Sequence, residues 1–345
     1  MNYINQKSYK IHFTFLLVLL FVLFFVNISL GSVSISFSDI LNVLLGKSAS
    51  KESWETIILN FRLPKAITAI MVGSGLSVSG LLMQTLFRNP LAGPFVLGIS
   101  SGASLGVALL ILGSSFFGSY VLTFQLSSWS LPIAASLGAF LVLSAVVLTA
   151  NRVRNTMSIL IIGLMFGSLT AALISVLSYF SEASKIQQFV FWNFGSVGNL
   201  SWTEVLVFAV FYTVGILSTL FIIKPLNSFL LGENYAKSLG INIKKNRLSI
   251  LLITSILTGV ITAFSGPIAF IGLAVPHIAR LFFTTSNHKV LLPSTAIIGA
   301  IVLLICDAIA QLPTSEFTLP LNAITSLFGA PIVIWLLVRK KKIFV

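Results

Sequence analysis

Charged residues are so sparse along this chain that they punctuate it. After Lys7 and Lys10 none appears until Asp39. Between Arg62 and Arg88 the only charge is Lys65, and residues 89–151 carry none. A transmembrane helix needs about 20 predominantly apolar residues, and the charge-free intervals have that length. They predict spans at 11–30, 63–87, 94–112, 131–150, 157–180, 203–223, 248–264, 268–282, 291–312 and 319–338. The interval 248–279 is divided because one helix of that length would run about 48 Å at 1.5 Å per residue. That exceeds the roughly 30 Å hydrocarbon core, and Ser265-Gly266-Pro267 supplies a break. The polar turn material at 113–130 separates spans three and four. Segment 39–62 holds Asp39, Lys47, Lys51, Glu52, Glu55 and Arg62, so the expectation there is a solvated loop. Residues 225–246 form the longest other polar connection.

Composition agrees with this pattern. Of 345 residues, 57% are hydrophobic and only 8% charged, against about 25% charged in soluble domains. The expected class is therefore an all-α membrane protein of ten spans, a single domain over 1–345. The single Cys excludes a disulfide framework or thiolate cluster. The net charge of +13 would point to nucleic acid on a soluble protein. Here the ten-span count distributes it: with both termini inside, sixteen of the 21 basic residues fall on one side with Glu233 as the only acid. That is the positive-inside pattern, and it predicts cytoplasmic termini, a lipid bilayer as surroundings and no nucleic-acid partner. No A-x-A site follows the first apolar stretch, so it reads as a retained helix rather than a cleaved signal peptide.

Candidate chemistry is thin. There is no H-E-x-x-H, G-x-S-x-G or G-x-x-x-x-G-K-[ST]. His12, His277 and His288 are scattered, and Asp307 is the main ionisable group at membrane depth. The chain is thus expected to be no enzyme and to hold no catalytic, cofactor or metal site. Any ATP hydrolysis must sit on another chain. Asp307 reads as a hydrogen-bonded structural carboxylate near one end of span nine. Gly73, Gly75 and Gly80, the ridge Gly98, Gly102 and Gly106, and Gly163 with Gly167 read as close-packing positions, since small residues let helices approach in lipid.

Three stretches carry a resemblance. The first is Arg62-Leu63-Pro64-Lys65, then Gly73-Ser74-Gly75 through Gly80-Leu81-Leu82-Met83-Gln84 and Asn89-Pro90-Leu91-Ala92-Gly93-Pro94. The second is Ser265-Gly266-Pro267-Ile268-Ala269-Phe270-Ile271-Gly272, continuing to Val275-Pro276-His277-Ile278-Ala279-Arg280. The third is Gly329-Ala330-Pro331. In this order they resemble the FecCD family, the permease subunits of ABC importers for iron chelates (siderophores), haem and cobalamin.

The resemblance implies a type II ABC import permease in a bacterial cytoplasmic (inner) membrane. It implies a homodimer or a pair of related permease subunits, two cytoplasmic ABC ATPase subunits that hold ATP and magnesium, and an extracytoplasmic substrate-binding protein. It places Arg62 and Lys65 toward the docked binding protein. It places Leu231, Gly232, Glu233, Ala236, Leu239 and Gly240 in a coupling loop seated on the ATPase. Span five, with Gly163, Met165, Phe166, Gly167, Thr170, Ser175 and Ser178, would face its mate across the translocation path. Gln187, Gln188, Trp192 and Asn193 would follow at the outer gate. The sequence departs from the family where Gln311 stands for a common Arg, and where Thr318 and Asn322 replace Glu and Gly. The alternative is an ion-gradient-driven secondary transporter working alone.

Overall fold

The computed structural model describes residues 3–114, 127–150, 153, 156–311 and 318–338, with side chains from residue 9 onward except at 150, 156, 336 and 337. Arg152, Arg154 and the basic run 339–342, counted among the sixteen basic residues, lie outside the described residues, as do Glu316, part of the 113–130 turn and the Lys7 side chain.

Among the described residues the fold is all helical. In chain order the helices are α1 (Tyr3–Ser29), α2 (Phe37–Leu44), α3 (Glu52–Ile57), α4 (Leu63–Phe87), α5 (Ile99–Ile111), α6 (Ser130–Ala150), α7 (Thr156–Tyr179) and α8 (Ala183–Asn193). There follow α9 (Trp202–Phe221), α10 (Ile223–Leu230), α11 (Glu233–Ser238), α12 (Ile243–Ser265), α13 (Ile271–Phe283), α14 (His288–Ala310) and α15 (Leu321–Val338). Among the described residues, seven helical stretches are long and apolar enough to cross a membrane, and the apolar helices Ile99–Ile111, Ile271–Phe283 and Leu321–Trp335 are shorter. Each of these helices overlaps one of the predicted spans.

Local sequence sets many of the boundaries. Ser201 and Glu204 form a reciprocal capping box at the start of α9, which satisfies two orphan donors at once. Asn242 accepts from Lys245 N at the start of α12. Gly266, at φ 70°, stops α12, and α13 resumes at Ile271, so the Gly-Pro break divides two helices as expected.

Two expectations are corrected. Segment 39–62 is not merely a solvated loop. It contains α2 and α3, and α3 runs through a π-helical turn, Ile58–Arg62, directly into α4. Its charges conceal apolar residues: Ile40, Val43 and Ile58 bury against Ile28, Ile35 and Ala66 in a small separate core. Span three begins at Ile99 rather than 94, because Pro94–Leu97 is a 3-10 turn that ends on Gly98 at φ 72°. Gly98 therefore precedes the helical ridge instead of belonging to it.

Helix α4 is the axis of the bundle, buried nearly throughout and packed by α14, α12, α13 and α9. Its small residues make this possible. A Cβ on Gly80 would collide with the Gly272 carbonyl of α13, so these backbones touch directly. Gly102 and Gly138 bring α5 and α6 together in the same way. Helix α1 packs on α14 at the edge, and its other face (Ile11, Phe15, Val18, Phe21, Val22) is exposed and apolar.

Candidate functional site

A buried polar cluster lies where α1, α4 and α14 end or begin together. Asp307 Oδ1 is 3.2 Å from Lys65 Nζ. Its Oδ2 accepts from Asn27 Nδ2 and from Gln311 Nε2, each at 2.8 Å. The carboxylate is thus fully engaged, as the sequence reading of Asp307 expected. A buried charge is tolerated only when paired and hydrogen-bonded. Gln311, the position where a family Arg is absent, is one of its donors.

Arg62, which the resemblance places toward the docked binding protein, is largely buried. It is only 7% exposed. Its Nη1 donates to the carbonyls of Ile28 and Ser29, each at 2.9 Å, and its Nη2 donates to the Val33 carbonyl. The last carbonyls of a helix lack intrahelical donors, so Arg62 caps the end of α1. Lys65 keeps about 20% side-chain exposure while paired to Asp307. Both lie on a cleft of about 710 Å3 whose walls include Asp307, Gln311, Phe194 and Asn199. Of the two predicted docking cations, Lys65 alone retains a part-open ammonium.

The 225–246 connection folds into α10, α11 and tight glycine turns. Gly232 and Gly240 have φ 106° and 77°, conformations that suit a residue without Cβ. Ala236 is buried against the bundle. Glu233 pairs with Arg247 at 3.1 Å, fastening α11 to α12. Leu231, Tyr235 and Leu239 are 64%, 50% and 57% exposed. Leu231 and Leu239 flank the short helix α11 and Tyr235 lies within it, so a charged segment presents three exposed apolar side chains. Tyr235 is exposed with them although sequence reasoning did not single it out.

Helix α7 packs on one side only. Ile159, Gly163 and Thr170 are buried, and Phe166 packs on the core. A Cβ on Gly163 would meet the Val96 carbonyl, and Thr170 Oγ1 donates to Gly167 O at 2.8 Å. Met165, Leu169, Ser175 and Val176 lie on the exposed side. Hence the structure divides the predicted pathway residues. Met165 and Ser175 are on the free face. Gly163, Phe166, Gly167, Thr170 and the half-buried Ser178 belong to the packed stripe, with Ser178 Oγ bonded to Ile174 O.

Helix α8 carries Gln187 and Gln188 exposed, with Trp192 and Asn193 half-buried beneath. Asn193 is held by Ser104 Oγ at 3.4 Å and donates to Phe189 O at 2.9 Å. The end of α8 is tied to the α12 break by Ser196 N donating to Ser265 O at 2.9 Å. Asn322 clamps the same junction. Its N donates to Phe194 O, and its Oδ1 accepts from Ala269 N, both at 3.0 Å. No group of three or more His, Cys, Asp or Glu residues able to hold a metal occurs among the described residues.

Comparison with known proteins follows from this geometry. Residues 19–339 match the model of the FecCD transport family. The chain is 37% identical over 330 residues to the hemin transport system permease protein HmuU of Yersinia pestis, covering 95% of each. It is 35% identical over 293 residues to the vitamin B12 import system permease protein BtuC of Salmonella typhi, covering 84% of this chain and 85% of the relative. Among solved structures, it matches an ABC transporter of metal-chelate type in an inward-facing conformation, with TM-score 0.83 and 31% identity over 96% of this chain and 99% of that one. PsaBC from Streptococcus pneumoniae, at 17% identity and TM-score 0.51, shares the fold.

Proposed function

Because this chain belongs to the FecCD transport family, we propose that it is the membrane-spanning permease subunit of an ATP-binding cassette importer for an iron chelate, haem or cobalamin. The observation that carries this reading is the family match across residues 19–339. The three sequence stretches fall where the structure makes use of them: at the glycine-packed α4, at the α12–α13 break and in α15.

In this reading the chain lies in the bacterial cytoplasmic membrane with both termini inside and crosses it ten times. It stands beside a second permease subunit, a copy of itself, with the side of α7 that carries Met165 and Ser175 facing that subunit across the translocation path. Two cytoplasmic ATPase subunits, which hold ATP and magnesium, seat on Leu231, Tyr235 and Leu239. A substrate-binding protein docks over the cleft that holds Lys65, where charge steers encounter and fixes register more than it adds affinity. Movement of the coupling loop passes through the Glu233–Arg247 pair into α12, and from the α12 break into α8 at the outer gate. The permease supplies a path and a lever, and the covalent chemistry of ATP belongs to its partners.

Reconstitution in liposomes tests this directly. Uptake of a radiolabelled chelate, haem or cobalamin is expected only when a partner ATPase and ATP are present inside vesicles whose cytoplasmic face is inward, with the substrate-binding protein outside. Uptake driven by an ion gradient, with no ATPase present, would sink the proposal.

A further inference from the structure

Helix α2 is amphipathic in a way that the importer reading does not use. At 100° per residue, Phe37, Leu41 and Leu45 fall within an arc of about 80° on one side, while Leu44 packs against the small core. Ile40 and Val43 point into the small core with Ile28, Ile58 and Ala66. Ser38 and Asn42 occupy the remaining polar side. Phe37 and Leu45 are 55% and 72% exposed, too much apolar surface to leave in water without a reason.

What covers this face is indicated by its neighbour. The Phe37 ring packs edge-on against Phe25 with centroids 6.1 Å apart, and Phe25 packs on Phe21 at 4.8 Å. Phe21 belongs to the exposed apolar side of α1, which faces lipid in any membrane placement of that helix. The lipid-facing surface of α1 therefore continues without interruption onto α2. Phe25 lies four residues before the end of α1, about 6 Å below it. Phe37 thus reaches back to acyl depth, within the roughly 5–10 Å that interfacial helices bury. The chain then carries Lys47 and Lys51, with Lys51 Nζ 5.1 Å from the Trp54 ring centroid. Trp and Lys are the residue types that collect at headgroup level.

We propose that α2 and the turn after it form an interfacial membrane-docking surface. Phe37, Leu41 and Leu45 lie in the acyl boundary, and Lys47 and Lys51 contact phospholipid phosphates. Asp39 fastens this unit from the protein side. Its carboxylate accepts from Ser50 N at 2.9 Å and from the hydroxyls of Ser50 at 2.7 Å and Ser36 at 2.5 Å. The unit anchors the α1–α4 connection at a fixed depth beside the cleft that holds Lys65.

The test uses the full chain in nanodiscs. A fluorophore is placed at Phe37→Cys, Leu45→Cys, Phe21→Cys as a lipid-facing reference, or Ser53→Cys as an exposed reference. Cys306 is buried and stays in place. The quencher is a phosphatidylcholine with a nitroxide high on its acyl chain, with iodide as the aqueous counterpart. Probes at 37 and 45 should be quenched by the nitroxide like the probe at 21, whereas the probe at 53 should respond to iodide alone. In discs of equal phosphatidylcholine and phosphatidylglycerol, Lys47→Gln with Lys51→Gln should lower nitroxide quenching at 45. Leu45→Cys lies beyond the helix and keeps the test usable if Phe37→Cys does not fold. Iodide quenching at 37 and 45, with none by nitroxide while position 21 still responds, would overturn the proposal.

Discussion

Lys65 Nζ and Asp307 Oδ1 stand 3.2 Å apart and tie the first turn of α4 to the last turn of α14. The two residues are not equivalent within the pair. Lys65 is about one-fifth exposed and Asp307 about one-twentieth. Removing the cation leaves a carboxylate buried with two neutral amides, whereas removing the carboxylate leaves an ammonium that can turn into the adjacent cleft. Lys65→Ala is therefore expected to cost about 3 kcal/mol, in the range for breaking a buried pair, and Asp307→Asn clearly less. Thermal denaturation of the purified permease in detergent measures the order. Equal losses would show that the pair is screened like a surface bridge.

Arg62 offers a second asymmetry. Its three carbonyl partners lie on Ile28, Ser29 and Val33, and a planar guanidinium reaches them from two nitrogens. An ammonium is a single compact donor group, so Arg62→Lys should lose most of the stability that Arg62→Ala loses, about 2–3 kcal/mol for charge-assisted bonds. Amide hydrogen exchange should rise first near residues 28–35. If Arg62 instead serves mainly in docking, both variants would keep wild-type exchange there and lose binding-protein affinity.

Most of the long apolar helices were legible in the sequence because charge in lipid is costly, so charges fall mainly near helix ends. The close packing was legible for a similar reason: Gly80 has no competing use inside a span, and its contact with Gly272 follows. Arg62 shows where that reasoning stops. The motif placed it on a membrane face, but its partners lie about thirty residues earlier in the chain, and carbonyls leave no mark in a sequence. Helix α2 was hidden for the opposite reason. Six charges across 39–62 masked an apolar face built from Phe37, Leu41 and Leu45 at helical spacing. On α7, small and polar residues looked alike as channel lining, and only burial separates Gly163 and Thr170 from Met165 and Ser175.

Asp39 gives a pH dependence. Hydrogen bonds from the Ser36 and Ser50 hydroxyls, then the Ser50 amide, hold its carboxyl below the ordinary value of 3.8. A carboxylate with a lowered folded pKa contributes stability that is complete above its unfolded value and lost as pH falls through the folded one. The α2 unit should therefore stay fastened at neutral pH and loosen only below about 4, near the unfolded carboxyl value. Asp39→Asn should show loosened exchange at residues 36–50 at neutral pH and little further change on acidification. A steep change in Asp39→Asn over the same acid range would assign the effect to another group.

The coupling loop separates binding from folding. Leu231, Tyr235 and Leu239 are exposed in this subunit, so Leu231→Ser or Leu239→Ser should leave thermal stability within about 0.5 kcal/mol of the parent. Co-purification with the ATPase should be lost. Ala236→Leu should behave in reverse, because overpacking a filled site costs about 1–3 kcal/mol, and its association should recover at lower temperature. Unchanged ATPase association in the Leu231→Ser, Leu239→Ser double variant would remove 231–240 from the coupling assignment.

The same division applies to α7 and tests the path itself. Met165 lies on the open face and Gly163 on the packed one. Met165→Trp adds bulk without meeting the subunit's own core, so it should leave stability unchanged and lower ATP-driven uptake several-fold. ATPase activity of the complex should persist, since hydrolysis does not require an open path. Gly163→Val drives a branched side chain at the Val96 carbonyl and should lower stability by several kcal/mol, as strained overpacking does, with uptake and ATPase activity falling together. The informative quantity is the ratio of uptake to hydrolysis. It should drop for Met165→Trp and hold for whatever Gly163→Val survives folding. A ratio that drops for Gly163→Val alone would place the path on the opposite side of α7.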